Sequence, residues 1–157
     1  MDFKEIKSKL TNCTYLQDAS VEIEGIKIYG TPYQPHFFGW AFNRDDKERQ
    51  ALFAKIPSDA DVVVCHGPPF EILDKTHDGL NVGCKILREE LLTRVKPQLA
   101  VFGHIHEAHG ITKLDNTLFV NAANCNVRYK ISNPPVVVDV IRKKSMQKEE
   151  GMEIIKK

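Results

Sequence analysis

Apolar and polar positions alternate along Val21-Glu22-Ile23-Glu24-Gly25-Ile26-Lys27-Ile28-Tyr29-Gly30. A period of two on both sides of Glu24-Gly25 predicts a hairpin that turns at that glycine. Upstream, Phe3, Ile6 and Leu10 fall at helical spacing and predict a short opening helix. Thr31 to Trp40 is rich in proline and aromatic residues and has neither period, so it reads as an irregular loop of the kind that carries function. Asn43 is the expected cap of a helix running to about Lys55, with Asp45 and Asp46 in its first turn.

Farther on, Val62 to Val64 and Leu99 to Phe102 are continuous apolar runs, the pattern of strands buried on both faces. Between them Cys84, Leu87, Leu91 and Val95 repeat on one helical face, from about Gly83 until Pro97 stops the helix after Lys96. Ile111 to Leu114 and Leu118 to Asn121 flank Asp115-Asn116 as a second hairpin. Val136 to Val140, after Asn133-Pro134-Pro135, is the expected last strand. The fold class is α/β. No internal repeat or domain boundary shows. Residues 1–141 read as one structural unit and 142–157 as a charged tail, expected to be partly disordered.

Composition narrows the function classes. The 157 residues carry a net charge of +1, which offers no electrostatic argument for a nucleic acid polymer or a membrane surface. No apolar run has transmembrane length and no signal peptide opens the chain, so a soluble, cytoplasmic protein is expected. Cys13, Cys65, Cys84 and Cys125 form no CxxC pair and read best as free thiols.

The candidate chemistry sits at the ends of the two apolar runs. Cys65-His66-Gly67-Pro68-Pro69 takes a histidine out of a strand into a stiff corner, and Gly103-His104-Ile105-His106 follows the next strand. Histidine is the commonest neutral metal ligand. Either motif alone is explained equally well as a strand-to-loop corner. Together, with a helix as crossover between them, they fall on the same carboxyl-terminal edge of one sheet. In an extended Gly103–His106 segment both side chains would share a face; in a turned one they would diverge.

These motifs, with Gly25-Ile26-Lys27-Ile28-Tyr29-Gly30-Thr31-Pro32, Phe37-Phe38-Gly39-Trp40-Ala41-Phe42-Asn43, Val82-Gly83-Cys84 and Asn133-Pro134-Pro135, resemble the calcineurin-like metallophosphoesterases. Within them the chain is most similar to the metallophosphoesterase-domain-containing subgroup. The similarity runs from about Thr11 to Val140. It implies part of a four-layer αββα sandwich, mixed sheets with flanking helices, and specifically its C-terminal part. It implies hydrolysis of phosphodiesters or phosphomonoesters, with a small, nucleotide-like phosphoester as substrate. The implied cofactors are divalent metal ions (Mn, Fe, Zn or Mg). By resemblance, His66 and His104 bind one metal and His106 the other.

The sequence departs from the family in one respect. The Asp-x-His, Gly-Asp-x-x-Asp and Asn-His motifs that complete such a site do not occur here. Asp45-Asp46 and Asp59-x-Asp61 are the nearest acidic pairs, and capping and solvation explain them. No catalytic residue is therefore identified, and activity of this chain is expected to be impaired or absent. One metal on His66, His104 and His106, or none, is expected instead of a dinuclear centre, because two dications without a bridging carboxylate repel. The alternatives are a non-catalytic nucleotide- or protein-binding module and a mononuclear three-histidine site. Gly67, Gly83, Cys84 and Asn121 are candidate substrate contacts, the helix start at Gly83 and Cys84 through free amides. Asn124, Asn126, Thr76, His77 and Asp78, and the stacking surfaces of Phe37 and Trp40, are weaker ones. An incomplete sandwich leaves a sheet edge and apolar surface open, so a homodimer or larger assembly is expected.

Overall fold

The computed structural model describes residues 3–142. It is built on one six-stranded mixed sheet. The strands are β1 (Ala19–Ile23), β2 (Ile26–Thr31), β3 (Val62–Cys65), β4 (Leu99–Phe102), β5 (Gly110–Leu114) and β6 (Thr117–Asn121), in the spatial order β1-β2-β3-β4-β6-β5. The central strands β2, β3, β4 and β6 are mutually parallel. The antiparallel hairpin partners β1 and β5 form the two edges. Three helices complete the frame: α1 (Phe3–Lys9), α2 (Asp46–Phe53) and α3, which is α-helical over Lys85–Glu89 and π-helical over Glu90–Val95.

Both hairpins fall where the alternation places them. Glu24 and Gly25 have φ of 52° and 78°, the two left-handed residues that match a tight turn to the twist of the strands. The parallel registers then align Tyr29, Val63, Ala100 and Phe119 in one row across the sheet. All four are buried. Leu87, Leu91 and Val95 of α3 and Phe53 and Ile56 at the end of α2 close over this row and make the main core. Arg94 fastens the two helices, donating to the carbonyls of Ile56 at 2.7 Å and Phe53 at 3.0 Å. Lys96, left-handed at φ 49°, ends α3 just before Pro97.

The opposite face carries Val62, Leu99 and Val120, with Ile28, Val101 and Leu118 around them. No helix covers it among the described residues. Val136, Val138 and Val140 pack there instead, from a segment that joins no strand ladder. The expected last strand is thus an apolar strap. Val137 and Asp139 face outward while the three valines pack on the sheet, and a segment lying on the face of the interior strands β3 and β4 meets no free edge to pair with.

Two local readings change. The cap of α2 is Asp45, not Asn43: Asp45 Oδ1 accepts from the Glu48 amide and Glu48 reaches back to the Asp45 amide. Ile6 of α1 and Leu10 just beyond its end are exposed in spite of their helical spacing. The acidic pairs Asp45-Asp46 and Asp59-x-Asp61 have structural partners. Asp46 pairs with Arg49, Asp59 pairs with Lys27, and Asp61 accepts from the Lys27 amide and from Gln98. Residues 143–157 of the expected charged tail lie outside the described residues.

Candidate metal and substrate site

Because β3 and β4 are parallel neighbours, their carboxyl ends deliver His66 and His104 to one place. The rings have centroids 4.8 Å apart, tilted by 47°. The Gly103 amide donates to the His66 carbonyl at 3.0 Å, locking the two exits together. The chain then turns within three residues, the Ile105 amide donating to the Gly103 carbonyl at 2.8 Å. His104 sits at the centre of that turn with φ 69°, an uncommon and strained conformation for a non-glycine residue. Phe37 stands edge-on to its ring at 4.7 Å.

The turn separates the two histidines of the Gly-His-Ile-His motif. His104 faces His66. His106 opens a single 3-10 turn (His106–Ala108), places Nδ1 2.9 Å from the Asn126 carbonyl and packs against Tyr129. Of the two geometries open to this motif, the divergent one is found.

Desolvation makes the inner pair good neutral donors. Burial, with added repulsion from His66 and His106, pulls the pKa of His104 down to about 4. His66 keeps part of its surface in solvent, yet loss of hydration on its inner side lowers its pKa too. Both imidazoles are unprotonated at neutral pH, the form that binds metals. The donor set is nonetheless short. Among the described residues no three His, Cys, Asp or Glu side chains come together to hold an ion. The residues present do not by themselves fit a metal centre.

Gly67 and Gly83 line a cavity of about 190 Å³ beside His104, together with Phe37, Pro68, Thr76 and Val82. The helix-start amides behind it are already used. The Gly83 amide donates to Asp74 at 2.8 Å and the Cys84 amide to the Pro68 carbonyl at 2.9 Å. They offer no phosphate cradle, contrary to the expectation from sequence. A Cβ at Gly83 would lie 2.4 Å from the Pro69 carbonyl oxygen, so close backbone packing is what requires glycine here. Cys84 is buried as the cap of α3, its Sγ receiving the Leu87 amide at 3.4 Å and Arg49 at 2.8 Å. Asn121 is also buried. Its amide nitrogen donates to the carbonyls of Leu73 and Ile105, and its oxygen accepts from Ala123. It therefore holds the loops around the His104 turn in place.

His77 lies away from the cavity, its amide donating to Glu107 at 3.1 Å. Asn124 and Asn126 use their carbonyls on Ser132, Asn133 and His106. Sequence reasoning missed two organisers, Asp74 and Asn43. Asp74 is buried and receives the Glu71 and Gly83 amides. Asn43 receives the Phe37 amide and donates to the carbonyls of Phe37 and Phe38. Neither role has a spacing signature, because each spans a loop.

Comparison with known proteins gives the family. The chain is 44% identical over 143 residues to human Metallophosphoesterase domain-containing protein 1, a match covering 88% of this chain and 43% of that protein; the mouse protein matches equally. A UPF0046 protein of Caenorhabditis elegans is 41% identical over 137 residues, covering 85% of this chain and 34% of its own length. The chain belongs to the metallophosphoesterase-domain family. It spans less than half the length of these relatives. No family model matches it. A solved crystal structure, 20% identical, superposes with a TM-score of 0.58 over 76% of this chain and 49% of its own, a likeness of fold alone. All four cysteines are free, and no helix among the described residues is long and apolar enough to cross a membrane.

Proposed function

We propose that this chain carries the histidine-bearing part of a metal-dependent phosphoesterase site, acting on phosphodiesters or phosphomonoesters of small, nucleotide-like molecules. The observation that carries this reading is the meeting of His66 and His104, neutral and 4.8 Å apart, at the edge of a parallel sheet. His106 is the third ligand in this reading, reached by turning its ring away from Asn126. The carboxylate ligands and the general acid are not among these 157 residues, so the chain alone is impaired or inactive. The sparsely covered sheet face is where a second sheet of the four-layer sandwich would pack. Exposed Val64 on that face, and Ile23 and Ile111 on the two edge strands, support self-association of the chain as it stands.

Three measurements test this reading. Titration with Mn²⁺ or Co²⁺ is expected to show weak binding lost in His66→Ala and His104→Ala; binding unaffected by both changes sinks the metal role. Hydrolysis of bis(p-nitrophenyl) phosphate with Mn²⁺ is expected near the background of the doubly substituted chain. Vigorous histidine-dependent turnover would show that the site is complete. Light scattering is expected to give a dimer or larger, and a monomer at all concentrations removes the self-association.

A further inference from the structure

The 190 Å³ cavity next to His104 has an occupant written into its walls. No Lys, Arg, Asp or Glu side chain lines it. Phe37, Pro68, Val82, Ile105 and the backbone of Gly67 and Gly83 make most of its surface, and Gln34, His36, Thr76 and His104 are the polar groups in the wall. Behind the Gly83 wall lies Asp74, buried and acidic, and this disfavours an anion. The cavity is therefore a poor place for a phosphate. Its size points to one ring, since an apolar cavity of about 150 Å³ is known to hold benzene.

The walls are also preformed. Asn43 grips the loop at Phe37 and Phe38 by three hydrogen bonds, and Gln34 bridges to Asn43 along the backbone. Phe37 is wedged between Trp40, with centroids 5.1 Å apart, and His104, at 4.7 Å. An aromatic ring entering here meets edges and faces of rings already set at right angles, the arrangement aromatic pairs favour. Rigid walls lose little entropy when the ring arrives.

We propose that this cavity binds a single flat, weakly polar ring carried by the phosphoester, with Phe37 as the specificity-determining residue and Asn43 as the residue that positions it. The phosphate half of the substrate rests on the phosphoesterase reading above; the ring half rests on the cavity alone.

Trp40 is the chain's one tryptophan, so its fluorescence reports on this place and no other. The full chain is titrated with phenylphosphonate, methylphosphonate and phenol, each with and without Mn²⁺. Phenylphosphonate and phenol are expected to change Trp40 emission saturably, with methylphosphonate weaker than phenylphosphonate by about tenfold or more. Gly67→Leu fills the space; a Cβ at Gly67 meets nothing nearer than 4.0 Å, so the backbone tolerates it. Phe37→Ala removes a wall without filling anything. Both variants are expected to weaken the two aromatic probes at least about fivefold, which is about 1 kcal/mol. Equal response to methyl and phenyl probes, or aromatic binding untouched by both variants, overturns the proposal. Phenol binding without metal-dependent phosphonate binding supports the ring pocket while removing the phosphoester reading, so the two failures are told apart.

Discussion

The two faces of the sheet are built from similar residues and end in different states. Tyr29, Val63, Ala100 and Phe119 on one face are sealed beneath α2 and α3. One residue further along the same strands, Val64 is 40% exposed, and among the described residues this face is covered by the strap of Val136, Val138 and Val140, with Leu16 over Gly30. Valine and leucine serve both faces equally well, so residue type does not set the difference. Helices present a continuous apolar stripe and cover a whole row, whereas an extended strap presents every second side chain and covers a line.

The largest test of this contrast is a pair of truncations. Phe119→Ala, in the sealed row, is expected to cost about 3–5 kcal/mol of unfolding free energy, by transfer and cavity formation together. Val138→Ala, in the strap, is expected to cost less than about 1 kcal/mol. Urea titration measures both, and equal costs would mean the strap covers its face as tightly as the helices do. Next in size is Asn121→Leu, at the end of β6. It strands the carbonyls of Leu73 and Ile105 and is expected to cost roughly 1–3 kcal/mol. The same change loosens the His104 turn, so metal binding should weaken with stability; full metal affinity in a destabilised variant would detach Asn121 from the site.

The sheet's carboxyl edge, where both faces stop, supplies a smaller effect. The folded His104 resists protonation down to about 4, while an unfolded histidine accepts a proton near its ordinary value of 6.5. Below pH 6.5 the unfolded state therefore binds more protons, and stability falls until about pH 4, where the folded ring also titrates. With a chelator present, melting temperature is expected to drop across this window and hold steady above it. His104→Gln should flatten the profile, and an unchanged slope would assign the effect elsewhere. The smallest test is chemical. Burial, and Cys84 nearby, push the Cys65 thiol on the sealed face up to about 12, whereas Cys13 is exposed. A thiol reagent at pH 8 is expected to label Cys13 well before Cys65, and comparable rates would show the sealed face opening.

Much of this was legible from spacing. Period two located both hairpins, the apolar runs located β3 and β4, and Cys84, Leu87, Leu91 and Val95 do share the buried stripe of α3. The meeting of His66 and His104 followed from two parallel strands ending on one edge. What spacing did not show was competition for hydrogen bonds. Asn43 had the residue type of a cap, but three groups of the aromatic loop claimed its side chain and Asp45 took the cap. The amides at Gly83 and Cys84 had the position of a phosphate cradle, but Asp74 and Pro68 arrived first.

The sequence by itself determined the α/β class, the places of the two hairpins and of β3 and β4, the histidine corners and the family they belong to, because these depend on local period and on residues adjacent in the chain. Only the tertiary structure decided that His104 turns toward His66 while His106 turns away, that Asn121 and Asp74 serve the backbone, and that an apolar cavity opens beside the histidines. Each of these is settled by groups from different loops and strands satisfying one another's hydrogen bonds and excluding water, and no local pattern encodes that.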